Sequence, residues 1–565
     1  MKIAGVQLAP AIESAVLACR RHFIAAAAFS FFINLLYLAP PIYMLQVYDR
    51  VVATGGKLTL LFITLALGIA LLTLSALDGI RARLLLRASV RLDTIIAPKI
   101  LKRGIASNGS GAVQAMRDFD AVRQLVGTPV LAGLFDAPWA PIYILVAFLL
   151  HFWIGMLALA SGAILLVLAW LNQRRTRRAS EAAAEQMALA HAAAHTLSLN
   201  NHTIRALGMA GRIVDRQLQQ RATALERFAD SQFAGSRIAA FSRFFRLFIQ
   251  SIALGLGALL AIEGFISAGA IIAASILLGR ALQPVEAIIN GWPTINAGRS
   301  ALLRLSDTLG QEMAQRIYTR LPEPQGRLTV ENVGMRGSGG RPILFGVSLD
   351  IAPGEMLGVV GPSGAGKTTF AKIAAGAIAP DTGAVRIDGA QYGDWDPDEL
   401  GRHVGYLPQE PSLFEGTIKE NIARFHVDGD MVDEQVVAAA KQAAVHEMIL
   451  ALSEGYETRI GRLGKGLSAG HAQRIALARA LYRDPVLLIL DEPNAFLDAE
   501  GEEALMRCVV ETLARKRTIV LIAHRKGVLD NADRLLVLEN GRPRMLGPAA
   551  EIAARLTPPS SRASA

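Results

Sequence analysis

Apolar residues occur in six long runs before about residue 292, and after that point the runs become shorter and alternate with turns and charged helices. A helix that crosses a bilayer needs about 20 mostly apolar residues, because a rise of about 1.5 Å per residue must cover about 30 Å of hydrocarbon. The pattern therefore predicts a helical membrane region followed by a soluble domain. The predicted spans are Phe23 to Val47, Leu58 to Leu77, Val130 to Leu150, Trp153 to Leu171, Leu247 to Ile262 and Phe265 to Ile289.

The connections between the runs alternate between short and long. The second and fourth connections, of roughly 50 and 70 residues, contain most of the Arg and Lys, and such residues stay on the cytoplasmic side of a membrane. This topology predicts that both termini, both long connections and the soluble domain are cytoplasmic. The long connections have helical periodicity, and two interpretations stay open: a solvated bundle, or helices that act as levers.

Composition agrees with a membrane protein. Of the 565 residues, 52% are hydrophobic and only 19% are charged, which argues against an ordinary soluble enzyme. The net charge is +10, but the basic residues are distributed as membrane topology requires, mostly in the long cytoplasmic connections. We therefore predict no nucleic-acid partner. The two cysteines, Cys19 and Cys508, have no metal-binding spacing.

Two charged residues lie within predicted spans, where burial in hydrocarbon is costly. Asp136 and Arg280 lie at similar depth, and two hypotheses stay open: they pair with each other, or each extends separately to the interface. Prolines in the first and third spans predict kinks there. These are Pro40, Pro41, Pro138 and Pro141.

A phosphate-binding loop is predicted by "EMLGVVGPSGAGKTTFAKIAAG", in which a strand, a Gly-rich loop and a helix follow one another. The glycines let backbone N–H groups face phosphate at a helix N-terminus. We expect Lys367 to reach the β- and γ-phosphates and Thr368 to offer its hydroxyl to Mg²⁺. The predicted nucleotide-binding residues are Gly361, Ser363, Gly364, Ala365, Gly366, Lys367, Thr368 and Thr369.

A second strand, in "DPVLLILDEP", ends in two carboxylates. Asp491 suits a magnesium shell, and Glu492 suits the polarisation of an attacking water. The two acids could instead only cap the next helix. Together with the phosphate loop they favour nucleoside triphosphate hydrolysis.

The segment "GLSAGHAQRIALARALYRDP" resembles the signature of the ATP-binding cassette family. The family usually has L-S-G-G-Q there, so Ala469 and His471 are departures. The resemblance implies that Ser468, Ala469 and Gly470 bind the γ-phosphate of ATP held by a second subunit. With one cassette per chain, it implies a homodimer.

Other family positions follow in order. By resemblance Gln409 is a catalytic residue that links Mg²⁺ and water to the membrane domain, Asp498 lies in the loop that faces the partner subunit, and His524 senses the γ-phosphate. Thr368, Gln409 and Asp491 are the implied Mg²⁺ residues, and ATP is the implied substrate. The usual adenine-stacking tyrosine is missing, and Arg336 or Arg341 could stack instead.

The membrane segments "PPIYMLQVYDRVVATGG", "RDFDAVRQLVGTPVLAGLFDAPWAPIYILVAFLLHFWIG" and "GAIIAASILLGRALQPVEAIINGW" resemble type I protein secretion ATPases of the protease-exporter type. The resemblance implies export of an unfolded protein with a C-terminal signal across the bacterial inner membrane. It also implies a periplasmic membrane-fusion adaptor and an outer-membrane duct. A lipid or drug exporter is the alternative, and a regulatory cassette protein that does not pump is a second one.

The predicted fold is an all-α membrane domain of six transmembrane helices fused to an α/β P-loop cassette. We expect a cytoplasmic segment over 1–22, the membrane domain over 23–300, a linker over 301–326, the cassette over 327–555 and a disordered tail over 556–565. Because the chain begins almost at the first span, we also expect no peptidase-like N-terminal domain and no cleavage of the substrate by this chain.

Overall fold

The computed structural model describes residues 2–3, 6–106, 111–199, 201–310, 318–337, 340–426, 428–461, 466–523 and 531–556. The chain divides into two compact units, residues 1–313 and residues 314–565. The predicted site residue His524 and residues 557–565 of the predicted tail lie outside the described residues.

The described part of the first unit is helical, apart from a short antiparallel hairpin in which β1 (Lys2–Ile3) pairs with β2 (Val6–Gln7). Its helices are α1 Pro10–Ala18, α2 Arg20–Leu36, α3 Ala39–Gln46, α4 Lys57–Ala106, α5 Ala112–Gly127, α6 Pro129–Asp136, α7 Ala140–Leu150, α8 Phe152–Leu199, α9 Asn201–Ala206, α10 Ala210–Ile262, α11 Ala268–Asn290 and α12 Trp292–Gly310.

Six helical segments among the described residues are long and apolar enough to cross a membrane, which confirms the predicted number of spans. Each overlaps its predicted run, because hydrophobic length is a strong signal. The segments are Arg20–Val52, Lys57–Ile105, Val130–Leu150, Phe152–Asn172, Ser236–Ile262 and Ala268–Asn290.

Three helices are much longer than a bilayer requires. Helix α4 has 50 residues, α8 has 48 and α10 has 53. At 1.5 Å per residue, each is about 70–80 Å long against about 30 Å of hydrocarbon. The described parts of the second and fourth connections are therefore largely helical, as predicted. Helices α8 and α10 pack along each other, and Gln217 Nε2 donates to the Ala190 carbonyl at 2.8 Å.

The first and third spans are interrupted where their prolines predicted kinks. The first span breaks between α2 and α3, just before Pro40 and Pro41. The third breaks at Ala137–Trp139, a single tight turn between α6 and α7 that contains Pro138. Proline causes such breaks because it lacks the backbone N–H and crowds the preceding turn.

Of the two hypotheses left open for Asp136 and Arg280, a direct pair between them is wrong among the described residues. Asp136 Oδ1 accepts from Arg81 Nη1 of α4 at 2.8 Å and from Asn34 Nδ2 of α2 at 2.8 Å. The Arg81 side chain is only 7% exposed, and a buried guanidinium needs acceptors for its donors. Arg280 instead lies over the ring of Tyr37.

The N-terminal segment belongs to a small apolar core. Ile12 of α1 and Cys19 are buried with side chains of α4, α5 and α12, among them Phe119 and Leu305. Helix α12 runs to Gly310, so the first part of the predicted linker is helical and contributes Leu305 and Leu309 to this core.

The second unit is α/β. Its strands are β3 Leu328–Arg336, β4 Pro342–Ile351, β5 Met356–Val360, β6 Thr382–Ile387, β7 Ala390–Gln391, β8 Val404–Leu407, β9 Gly416–Thr417, β10 Arg459–Ile460, β11 Leu487–Asp491, β12 Thr518–Ile522, β13 Arg534–Glu539 and β14 Arg542–Pro548. Its helices are α13 Lys367–Ala374, α14 Pro397–His403, α15 Ile418–Ile422, α16 Val432–Gln442, α17 His446–Leu450, α18 Ala469–Leu481, α19 Ala499–Ala514 and α20 Ala549–Leu556.

A six-stranded sheet in the order β14-β13-β5-β12-β11-β8 forms the centre of this unit. Strands β13, β5, β12, β11 and β8 are parallel, and β11 and β12 are buried along their whole length. Apolar clusters cover both faces, as expected for a parallel sheet. The carboxyl ends of β5, β8 and β11 therefore meet at one edge. A second sheet, in the order β4-β3-β6-β7, is antiparallel.

Candidate nucleotide site

The loop between β5 and α13 contains three glycines with positive φ, and at two of them a Cβ would also clash with a neighbouring strand. Gly361 has φ +155°, and a Cβ there would lie 2.2 Å from the Leu538 carbonyl oxygen. Gly366 has φ +94°, and its Cβ would meet the Leu344 side chain at 2.7 Å. Gly364 has φ +79° and open space around it. The loop thus passes close to two neighbouring strands and keeps its tip accessible.

Lys367, the first residue of α13, lies under this loop. The residue is 5% exposed, and Nζ donates to the carbonyls of Gly361 at 2.9 Å and Pro362 at 3.0 Å. Burial lowers the pKa of this ammonium, while Glu492 and Asp491 oppose the shift. The charge is thus held at the loop, next to two acids.

Asp491 ends β11 and is fully buried. Oδ1 is 3.5 Å from the Thr368 hydroxyl, and Oδ2 has no hydrogen-bond partner among the described residues. Burial raises the pKa of Asp491, and the hydrogen bond from Thr368 lowers it. Mg²⁺ prefers oxygen ligands, and here a buried carboxylate oxygen that accepts no hydrogen bond lies beside a hydroxyl. These residues therefore fit the ion.

Glu492 follows directly in a left-handed backbone conformation, with φ +49°. Its N–H donates to the Ile522 carbonyl at 3.0 Å, which continues the pairing of β11 with β12. Gln409, two residues beyond β8, donates through Nε2 to Glu492 Oε2 at 3.0 Å. Non-glycine residues with positive φ are uncommon and occur often at functional sites.

The segment predicted to be the signature begins α18. Ser468 is the N-cap, and its hydroxyl accepts from the His471 N–H at 3.2 Å. Ser468 and Ala469 are exposed, and a Cβ on Gly470 would lie 3.0 Å from the Phe496 carbonyl oxygen. The start of α18 thus offers accessible N–H groups and the positive end of a helix dipole.

Two polar residues that sequence reasoning missed connect α18 to the loop after β11. Gln473 is buried, and its Nε2 donates to the Pro493 carbonyl at 3.1 Å. Arg474 Nη2 donates to Asp498 Oδ1 at 2.9 Å, and the same oxygen accepts from the Gly501 N–H at 2.9 Å. A polar Gln473 on the buried side of an Ala-rich helix was the available signal.

The structure therefore brings Lys367, Thr368, Asp491, Glu492 and Gln409 together at one sheet edge. Ser363 and Gly364 are exposed at the loop tip, Ala365 is buried, and Thr369 is half-buried on α13. Arg336 and Arg341 are exposed near the ends of β3 and β4.

Two family models match the chain: the ABC transporter family over residues 344–495 and the ABC transporter transmembrane region over residues 23–285. The type I secretion system ATP-binding protein PrsD of Rhizobium meliloti is 38% identical over 96% of this chain and 94% of its own length. The toxin RTX-I translocation ATP-binding protein of Actinobacillus pleuropneumoniae is 32% identical over 94% of this chain and 76% of its own length.

A solved structure of a bacterial Atm1-family ABC exporter with ATP bound has the same fold. The TM-score is 0.81 at 23% identity, covering 95% of this chain and 96% of that chain. Together with the six spans and the nucleotide site, these similarities mean that ATP binding and hydrolysis are coupled to transport. The chain belongs to the ATP-binding cassette transporters, among the type I secretion system ATP-binding proteins.

Proposed function

We propose that this chain is the ATPase of a bacterial type I secretion system, in which two copies use ATP to export an unfolded polypeptide. The observation that carries the proposal is the meeting of Lys367, Asp491 and the Gln409–Glu492 pair at one sheet edge, in a chain with six candidate spans. The similarity to secretion ATPases along nearly the whole chain supports the substrate class.

The phosphate loop supplies the first part of the mechanism. Backbone N–H groups of residues 363–369, which include the start of α13, surround the phosphates and donate hydrogen bonds to them. Lys367 exchanges its two carbonyl acceptors, at Gly361 and Pro362, for phosphate oxygens. The exchange is favourable because a charge-assisted hydrogen bond to phosphate is stronger than one to a neutral carbonyl.

Glu492 is the proposed catalytic base. It polarises the water that attacks the γ-phosphate, and Gln409 holds the carboxylate in position through its amide. Because Gln409 lies in a loop of its own after β8, movement of that loop would change the position of the base.

Mg²⁺ would be held by Thr368, Gln409 and Asp491. When bound, it neutralises charge that develops on the phosphate oxygens. Asp491 is suited to this role because its buried Oδ2 accepts no hydrogen bond among the described residues and is therefore available to the ion.

A homodimer completes each site. Ser468, Ala469 and Gly470 present the exposed start of α18, which would bind the γ-phosphate held by the other copy. Asp498 lies at the start of α19, fixed by Arg474, where it would face the partner subunit. His524, by family resemblance, senses the γ-phosphate.

The proposed location is the bacterial inner membrane, with both termini and the cassette in the cytoplasm. The Arg- and Lys-rich long connections support this orientation. A periplasmic membrane-fusion adaptor and an outer-membrane duct are the proposed partners that carry the polypeptide to the medium.

Replacement of the proposed base tests the mechanism. Glu492→Gln should nearly abolish phosphate release by the purified chain, by at least about 100-fold, while ATP binding persists. Glu399→Gln is the matched control, because Glu399 is an exposed glutamate that pairs with Arg402 on α14. Unchanged hydrolysis in Glu492→Gln would show that the base is another group.

The cargo class is tested in cells that lack the native copy and carry the wild type, Glu492→Gln or Glu399→Gln. We expect one or a few proteins in the medium with the wild type and Glu399→Gln and none of these with Glu492→Gln. Identical protein content in the medium, with altered membrane lipids, would favour the lipid exporter instead.

A further inference from the structure

A cavity of about 370 Å³ with four charged lining residues lies among the spans of the first unit. Cavities that hold small ligands are typically about 300–1,000 Å³. Side chains from α2, α4, α6, α7 and α11 line it, so four of the six candidate spans contribute. Its charged lining residues are Asp78, Arg81, Asp136 and Arg280.

Two spans are interrupted beside this cavity, and a third contains a proline within its helix. The break between α2 and α3 contains Tyr37, the turn after α6 follows Asp136, and α11 contains Pro284. Proline at 284 removes the N–H that would bond the Arg280 carbonyl four residues earlier. In membrane proteins, irregular backbone at membrane depth is tolerated where it lines a cavity or binding site.

The two cavity arginines have different partners. Arg81 donates to Asp136 at 2.8 Å and to Asp78 at 2.6 Å, so two carboxylates balance its charge. Arg280 lies with its Cζ 3.7 Å from the centre of the Tyr37 ring and donates to Gln283 Oε1 at 2.9 Å. In the described part of the chain, no carboxylate lies within 4 Å of this guanidinium.

A second cleft, of about 530 Å³, shares Arg280 and Gln283 with the first. Its other arginine, Arg246, is already paired with Glu286 at 2.6 Å. Arg280 thus lies between two cavities, near the middle of the last span, as a cation without a nearby counter-ion among the described residues. A cation at membrane depth is expensive unless it serves a function.

We propose that Arg280, together with Gln283, binds a carboxylate of the transported polypeptide. The inference rests on the proposed export of polypeptides and adds the chemistry that the cavity selects. The Tyr37 ring covers one face of the guanidinium, which leaves its edge available, and a carboxylate matches that edge with two parallel hydrogen bonds. Gln283 can donate a third through its amide.

A carboxylate fits this cavity better than a phosphate monoester does. Asp78 and Asp136 line the same cavity, and their charge repels a phosphate monoester, which is bulkier and can be doubly charged, more than a single carboxylate. Arg280 attracts one negative charge, and the two acids repel any further one. The site therefore suits a ligand group with a single negative charge near Arg280.

Binding is measured on the full-length protein in nanodiscs of neutral phosphatidylcholine, without nucleotide. The probe is a fluorescent decapeptide that alternates Glu and Ser, compared with the same peptide in which Gln replaces each Glu. Fluorescence anisotropy should show roughly 10-fold tighter binding of the Glu peptide to the wild type, because Arg–carboxylate pairing is charge-assisted. Arg280→Ala should lose this preference, and Arg280→Lys should keep part of it.

Arg174→Ala is the matched control. Arg174 lies over the ring of Trp170 at 4.1 Å, the same kind of contact as Arg280 on Tyr37, but it does not line either cavity. This variant should keep the full preference for the Glu peptide. Partial retention in Arg280→Lys shows that the fold survives substitution at position 280.

Three results would overturn the inference. They are equal binding of the two peptides by the wild type, an undiminished preference in Arg280→Ala, and loss of Glu-peptide binding when phosphatidylglycerol replaces part of the phosphatidylcholine. The last would assign the site to lipid headgroups. Secretion by the wild type in cells reports separately on the proposed function, so a secreting transporter with any of these results contradicts only the role of Arg280.

Discussion

Gln409 Nε2 donates to Glu492 Oε2 at 3.0 Å, so the loop after β8 holds the carboxylate that follows β11. The two residues are 83 positions apart, and only the parallel pairing of β8 with β11 brings them to the same sheet edge. The position of the Glu492 carboxylate therefore depends on the loop that contains Gln409.

Gln409→Ala should therefore slow hydrolysis by roughly 10- to 100-fold, because misplacement of a catalytic group costs rate more than binding. The KM for ATP should change little, since the phosphate loop is intact. Steady-state phosphate release at several ATP concentrations measures both quantities. Gln442→Ala removes a glutamine amide with a comparable bond, 3.1 Å to Thr512, away from the site and should leave the rate unchanged. A wild-type rate in Gln409→Ala would contradict the positioning role.

As pH falls, Mg²⁺ binding should begin to weaken at a higher pH than it would if the ligand were an aspartate with an ordinary pKa. Burial raises the pKa of Asp491 above its usual value of about 4, so the folded protein protonates this group while an unfolded chain would still keep it ionised. As pH falls through the raised pKa, the carboxylate that Mg²⁺ needs is lost.

The measurement is the Mg²⁺ concentration for half-maximal hydrolysis, determined at a series of mildly acidic pH values. It should rise as pH falls in the wild type. Asp491→Asn should bind Mg²⁺ weakly at every pH and show little of this dependence. Asp398→Asn, an exposed aspartate at the start of α14, should behave as the wild type does. A pH-independent Mg²⁺ requirement in the wild type would argue against Asp491 as a ligand.

Local signals were enough to predict the spans and the phosphate loop. Hydrophobic length alone identifies the six membrane segments, and the spacing of Gly361, Gly366 and Lys367 requires a strand, a turn and a helix in sequence. Prolines in the first and third spans marked their breaks for the same reason, because proline acts on its own backbone.

Contacts between distant elements could not be predicted in this way. A pair between Asp136 and Arg280 was one of two open hypotheses, but the ion-pair partner of Asp136 is Arg81 on α4, and helix packing rather than depth decides such partners. The positive φ of Glu492 also has no sequence signal, since glutamate rarely adopts it without tertiary constraints.

Two glycines of the phosphate loop should differ strongly in their tolerance of alanine. Gly361→Ala places a Cβ 2.2 Å from the Leu538 carbonyl, so the backbone must shift and ATP binding should be lost. Gly364→Ala meets open space and pays only the strain of a positive φ, about 1–2 kcal/mol. Thermal unfolding and binding of a fluorescent ATP analogue compare the two variants. Equal effects in both would show that the close approach at Gly361 does not fix the loop.

The Arg81–Asp136 pair should stabilise the membrane unit more than exposed pairs do. The two side chains are 7% and 18% exposed, and removal of one partner leaves an uncompensated charge, at a cost of about 3–5 kcal/mol for a fully buried pair. Because Asp78 remains beside Arg81, we expect Asp136→Ala to lower the free energy of unfolding by somewhat less than this. The double change Arg81→Met with Asp136→Ala should lower it by less than the sum of the two single changes. Unfolding of the detergent-solubilised chain measures this double-mutant cycle.

The Arg123–Asp120 pair, 42% and 54% exposed, is the control and should contribute at most about 1 kcal/mol. Additive effects at Arg81 and Asp136 would show that the two charges do not stabilise each other.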